Sequence, residues 1–173
     1  MKRILTVLAV AAALALVAPA AYAGSPAHIN GGGTGTFGAD LDGDGDIDGS
    51  HFGLGVTLAG GTVHGHFLCL MAGNADFLGL PLMAVEGKVT GGSSNAAAGI
   101  ATLTGSATVN LGHGQLFRDV PFEVTLVAGG PGAGSLQLTV IGAFDGVPGD
   151  TILGNGNYDL PIETVATGQI KVR

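Results

Sequence analysis

The sequence predicts an all-β protein, an antiparallel β-sandwich or barrel of roughly eight to nine strands that follows a cleaved signal-peptide helix. Three observations carry this expectation. Stretches in which every second residue is apolar recur at short spacing along the chain, punctuated by Gly, Pro, Asn and Asp. No window of the chain after residue 23 keeps the 3.6-residue period of an amphipathic helix. Thirty-three glycines in 173 residues suit a sheet protein with many tight turns, and 46% apolar content is too high for a disordered chain.

Residues 1–23 have the layout of a secretory signal peptide. Lys2 and Arg3 form a short basic region, Ile4 to Val17 are continuously apolar, and Ala21-Tyr22-Ala23 supplies small residues for cleavage before Gly24. The apolar run falls short of the ~20 residues that span a bilayer, and no later segment is apolar enough to do so. The chain is therefore expected outside the cytoplasm, secreted or extracellular or in the cell envelope, without a membrane span in its mature part. With the signal removed, 150 residues remain. Residues 24–33 read as a flexible polar leader and residues 34–173 as a single all-β domain.

Charge narrows the partners. The chain has 6 basic and 13 acidic residues, and loss of Lys2 and Arg3 leaves a net charge of −9. Without a basic cluster, no nucleic acid is expected as a partner, because phosphate binding needs grouped Lys or Arg. Cations are the natural counter-charge. A lone cysteine, Cys69, excludes an internal disulfide framework.

The first chemical signal lies before the long strands. Asp40-Leu41-Asp42-Gly43-Asp44-Gly45-Asp46-Ile47-Asp48 places carboxylates at alternating positions with a glycine sixth. Such a loop wraps hard oxygen ligands around calcium, while the glycine permits the sharp turn. The run resembles the DxDxDG calcium loops of EF-hands, dockerins and thrombospondin type 3 repeats. That resemblance covers about a dozen residues and implies Asp40, Asp42 and Asp44 as side-chain ligands, with Gly45 as the turn. It also implies a backbone carbonyl from Asp46, an apolar anchor in Ile47, and a direct or water-mediated ligand in Asp48. His51 stands at the twelfth position, where a bidentate acid belongs, and Phe52 onward reads as strand rather than helix. A helix-free calcium loop of ~10⁻⁴ to 10⁻³ M affinity is the expectation, with Asp145, Asp150 or Asp159 as candidates to complete the shell. A solvated acidic turn is the alternative, against which stands the mutual repulsion of five aspartates in nine residues.

The next element is a hairpin over residues 52–71. Phe52, Leu54, Val56 and Leu58 alternate with small residues, and Gly60-Gly61 offers a two-residue turn of the primed type. This turn pairs Leu58 with Val63, Val56 with Gly65, Leu54 with Phe67, and Phe52 with Cys69 on one face. Thr57 with His64 and Gly55 with His66 form the other face. His64 and His66 lie on one side of a strand, a spacing that lets two imidazoles reach one transition metal, with His51 or His113 as a possible third ligand. Cys69 falls on the apolar face, away from both imidazoles, and reads as a small core hydrophobe rather than a nucleophile.

Further strands follow in order. Val85, Gly87 and Val89 suggest a strand after Leu82 and Ala84, with a bulge near Glu86. Ala101, Leu103, Gly105, Ala107, Val109 and Leu111 make a long face of small apolar residues. Phe122, Val124 and Leu126 alternate with Glu123 and Thr125, and Leu136, Leu138 and Val140 with Gln137 and Thr139. A last strand near residues 167–173 turns Ile170 and Val172 inward and Gln169 and Lys171 outward.

Nothing in the chain matches a nucleophile elbow or a phosphate loop, and Glu86 and Glu123 have no sequence link that would make them an acid–base pair. A non-enzymatic domain is the expectation. Taken together, Gly31-Gly32-Gly33, Phe52 to Val56, Gly65-His66, Thr104 to Asn110, Pro121 to Leu126, Gly130-Pro131-Gly132 and Gly168 to Val172 resemble the landmarks of bacterial secreted β-domains of the post-COAP type. The resemblance implies an appended extracellular β-domain without catalysis, in which the aspartate loop is an insertion. The expected function is a secreted or cell-surface β-domain that binds calcium structurally. The competing readings are a metal-free structural or adhesive domain, and a transition-metal-dependent secreted enzyme using His64 and His66.

Overall fold

The structure, a computed structural model, describes residues 26–38, 40, 48–71 and 83–173. The expected signal peptide lies outside the described residues. Among the described residues there are nine strands: β1 (Ala27–Thr36), β2 (Gly49–Ala59), β3 (Thr62–Leu70), β4 (Ala84–Asn95), β5 (Ile100–Gly112), β6 (Gln115–Val127), β7 (Ser135–Val140), β8 (Tyr158–Asp159) and β9 (Glu163–Val172). All pairings are antiparallel. The order β6-β5-β4-β3-β2-β1-β9-β7 closes on itself through a β6–β7 pairing, with the short β8 added outside the ring on β7. Of the two expected architectures, the chain adopts the closed ring.

Eight strands enclose an interior just wide enough for side chains to fill, and here apolar side chains fill it. Ile29, Phe67, Val85, Leu103, Phe122, Val124, Leu138 and Ile170 are among the fully buried residues. The outward positions of β2–β5 carry Thr57, His64, His66, Glu86, Lys88, Ser106 and Thr108. Among the described residues no helix is long and apolar enough to cross a membrane.

The β2–β3 hairpin has the register its sequence dictates, from Leu58↔Val63 to Phe52↔Cys69, with Thr57↔His64 and Gly55↔His66 on the outer face. Its turn needs two residues with positive φ, and Gly60 and Gly61 adopt +56° and +80°. The ring's widest side chains meet over β4 and β5. Phe67 on β3 is opposite Gly87, and Phe122 on β6 is opposite Gly105. A Cβ on Gly87 would run into the Phe122 ring, and one on Gly105 would come within 2.8 Å of it. Those two missing methyls let Phe122 lean across the interior and stack on Phe67, with ring centroids 5.6 Å apart.

Three expectations are corrected. Residues 24–33 are not a leader throughout, because β1 begins at Ala27 and is paired along its length with β2 and β9. Glycines at its inward positions hid the alternation: a Cβ at Gly31 would crowd Ile170, and one at Gly35 would collide with Glu163. The β4 irregularity falls between Val89 and Gly91 rather than near Glu86. The last strand starts at Glu163, four residues before 167, because a register shift opposite Thr34 and Gly35 breaks its alternation.

Candidate functional site

Two groups of residues matter: those singled out in the sequence, and an internal cluster that the sequence does not advertise. The aspartate run connects β1 to β2 at one end of the ring. Asp42, Asp44 and Asp46 lie outside the described residues, and the flanking Asp40 and Asp48 are within them. Asp40 is exposed, whereas Asp48 is 1% exposed. The two ends of the connection are tied at their base, where the Phe37 N–H donates to the Asp48 carbonyl at 2.9 Å. Asp48 therefore roots the connection in the barrel, one residue before β2 begins.

The three distant carboxylates considered for the same ion are occupied with the segment between β7 and β9. Asp145 accepts from the Gly154 and Gly156 amides at 2.8 and 3.0 Å. Asp150 accepts from the amides of Gly146, Ile152 and Asp159. Burial raises the Asp150 pKa, but these three bonds and a contact with Asp145 outweigh it, and the carboxyl ends below its ordinary value. Asp159 accepts from Thr139 Oγ1 at 2.7 Å and Asn155 Nδ2 at 2.6 Å. These acids pin a long glycine-rich connection to the barrel wall.

His64 and His66 are exposed on the outer face of β3. His66 stands opposite Lys88 on β4, a cation whose field opposes metal binding. His51 stands opposite Leu70, and His113 lies in the β5–β6 turn. Among the described residues no three His, Cys, Asp or Glu side chains are grouped to hold a metal ion. Glu86 faces Thr108, and Glu123 faces Thr104.

The internal cluster sits at the same end of the barrel as the aspartate connection. Glu163, at the start of β9, is 1% exposed and points into the ring. Ser50 on β2 donates its hydroxyl to Glu163 Oε2 at 2.6 Å, and the Cys69 thiol on β3 lies 3.9 Å from Oε1. Gly35 on β1 leaves the space that the carboxyl occupies. Burial raises the Glu163 pKa from 4.5 to about 7, and the bonds from Ser50 and Cys69 only partly offset it. Among the described residues no Lys, Arg or His is buried to balance an ionised Glu163.

Burial first, and the Glu163 charge second, hold the Cys69 thiol far above its ordinary pKa. It is a thiol rather than a thiolate, which suits a core residue and not a nucleophile. Tyr158 on β8 donates its hydroxyl to the Pro148 carbonyl at 3.0 Å. Its pKa is likewise pushed up by burial, then by Asp150 and Cys69.

The sequence carried one weak signal for this cluster. Glu163 lies two residues before Val165, so both share a face of one strand, but the irregularity at Ala166 breaks the alternation that ties them to Ile170 and Val172. Comparison of the chain with protein-family models, with curated proteins and with solved structures finds no match.

Proposed function

We propose that the protein is a secreted or cell-envelope, non-enzymatic β-barrel domain that binds calcium structurally through the loop bearing Asp40, Asp42, Asp44, Asp46 and Asp48. The observation that carries this reading is the spacing of those five acids around Gly45, the pattern that wraps oxygen ligands on a hard cation. The burial of Asp48 and the hydrogen bond that closes the base of the connection support it, because a loop anchored at both ends loses less freedom on binding. In this role the ion offsets repulsion among the acids and fixes the β1–β2 connection at the end of the barrel. The barrel supplies rigidity and a polar outer wall, and the physiological role is structural or adhesive.

Isothermal titration of the chelator-stripped protein with calcium chloride tests the reading. One saturable site with Kd of roughly 10⁻⁴ to 10⁻³ M, lost in the Asp42→Ala, Asp44→Ala variant, is the expected result. No saturable binding in the native chain would reject calcium and leave a metal-free structural domain. Binding that survives in the variant would move the site elsewhere.

A further inference from the structure

The ring of strands is unevenly sewn. Eleven residue pairs join β5 to β6, whereas β7 and β9 are joined by two, Ser135↔Thr164 and Leu136↔Glu163. Beyond them the closure continues as separate contacts between β9 and the segment before β7. Val165 N–H donates to the Gly134 carbonyl at 2.9 Å, Gly132 N–H to the Val165 carbonyl at 2.9 Å, and Gly129 and Ile170 form an isolated bridge. Glu163 is one of the four residues in that two-pair ladder, and its side chain reaches across the interior to β2 and β3.

We infer that Glu163 is a pH-operated latch on the β7–β9 seam: protonated, it holds the barrel closed, and ionised, it lets the seam open. Burial in an apolar interior disfavours the carboxylate, which there has to find water or a counter-charge, by more than the hydrogen bonds from Ser50 and Cys69 favour it. Among the described residues, the groups around it offer no cation. β1 contributes Gly35, β2 contributes Ser50, with the acid Asp48 just before the strand, and β3 contributes the neutral thiol Cys69. β7 contributes Leu136, and the β8 region contributes Tyr158 and Asp159, the latter already held by Thr139 and Asn155. The least costly route to solvent runs through the ladder with fewest bonds, and Glu163 is built into that ladder. Upward displacement of its pKa toward neutrality sets the working range between mildly acidic and neutral pH. The inference is independent of calcium.

Amide hydrogen exchange tests it, on the full chain in chelator at pH 5, 6, 7 and 8, with rates corrected for the intrinsic pH dependence. The reporters are the Val165 and Ile170 amides, which donate across the seam, and the β4–β5 ladder serves as reference. Seam protection is expected to fall at least tenfold from pH 5 to pH 8, to show little dependence on low denaturant, and to remain below that of β4–β5. Such behaviour marks a local opening rather than global unfolding. In Glu163→Gln the pH dependence of the seam should vanish. Pulsed labelling that finds seam and β4–β5 amides opening with equal free energies, or seam protection that is flat with pH, overturns the latch. Should the variant fail to fold, the carbon-13 shift of the Glu163 carboxyl in the native chain decides. Its midpoint should coincide with that of seam exchange, and a midpoint near the ordinary 4.5 overturns the inference.

Discussion

Replacing Glu163 by Gln should make the protein more stable at pH 8 and about 1 kcal/mol less stable at pH 4.5. Below pH 4.5 both the folded and the unfolded chain keep the Glu163 proton, so stability does not depend on it. Between 4.5 and about 7 the unfolded chain has released the proton while the folded chain still holds it. Stability then falls by about 1.4 kcal/mol per pH unit. Above that window the loss is complete, at about 3 kcal/mol. Gln is neutral throughout and of the same shape, and its carbonyl can still accept from Ser50. Its amide group lacks a ready-made partner, which costs about 1 kcal/mol. The variant should therefore gain about 1–3 kcal/mol over the native chain at pH 8. Urea unfolding at pH 4.5, 6 and 8, with unchanged m values, measures the difference directly. The other acids cancel between the two proteins, and Asp150, whose pKa lies below its ordinary 3.8, acts in the opposite sense and at lower pH. A variant that is less stable than the native chain at both pH values, by the same amount, would refute this reasoning.

Two other perturbations test the interior. Phe122→Ala should cost about 3–5 kcal/mol in urea unfolding, and Gly87→Ala about 1–3 kcal/mol, because the new methyl meets the Phe122 ring. The two changes together should cost clearly less than the sum of their separate costs, since removing the ring removes the collision; strict additivity would contradict the packing described. Cys69 should resist thiol reagents in the native state at pH 8 and react at a rate limited by unfolding, read by mass spectrometry, whereas rapid native-state labelling would place it at the surface.

What was legible in the sequence follows from where the information lies along the chain. The β2–β3 register could be read because Leu58, Val63 and their inward neighbours alternate on either side of a turn that demands two glycines, and all of these lie within twenty residues. β5, β6 and β7 were legible for the same reason of local alternation. β1 was not, because space for Ile170 and Glu163 requires glycine at the positions that normally carry the apolar signal. Barrel and sandwich could not be told apart, since closure depends on β9 returning to β1 and on β7 bridging β6 to β9. These are pairings between distant segments whose own patterns do not change. The Glu163 cluster joins residues 35, 50, 69 and 163. No local motif encodes it, and a lone Glu reads as surface until the fold turns it inward.

The measurement that bears most directly on the proposed role is thermal unfolding of the native chain in EDTA and in 10 mM calcium, beside the Asp42→Ala, Asp44→Ala variant. A site of roughly 10⁻⁴ to 10⁻³ M affinity saturated at about 10 mM adds about 1.4–2.7 kcal/mol to the folded state. For a domain of this size that corresponds to a rise of roughly 3–10 °C in melting temperature. That rise is expected in the native chain and absent in the variant. Identical melts with and without calcium, in both proteins, would contradict it.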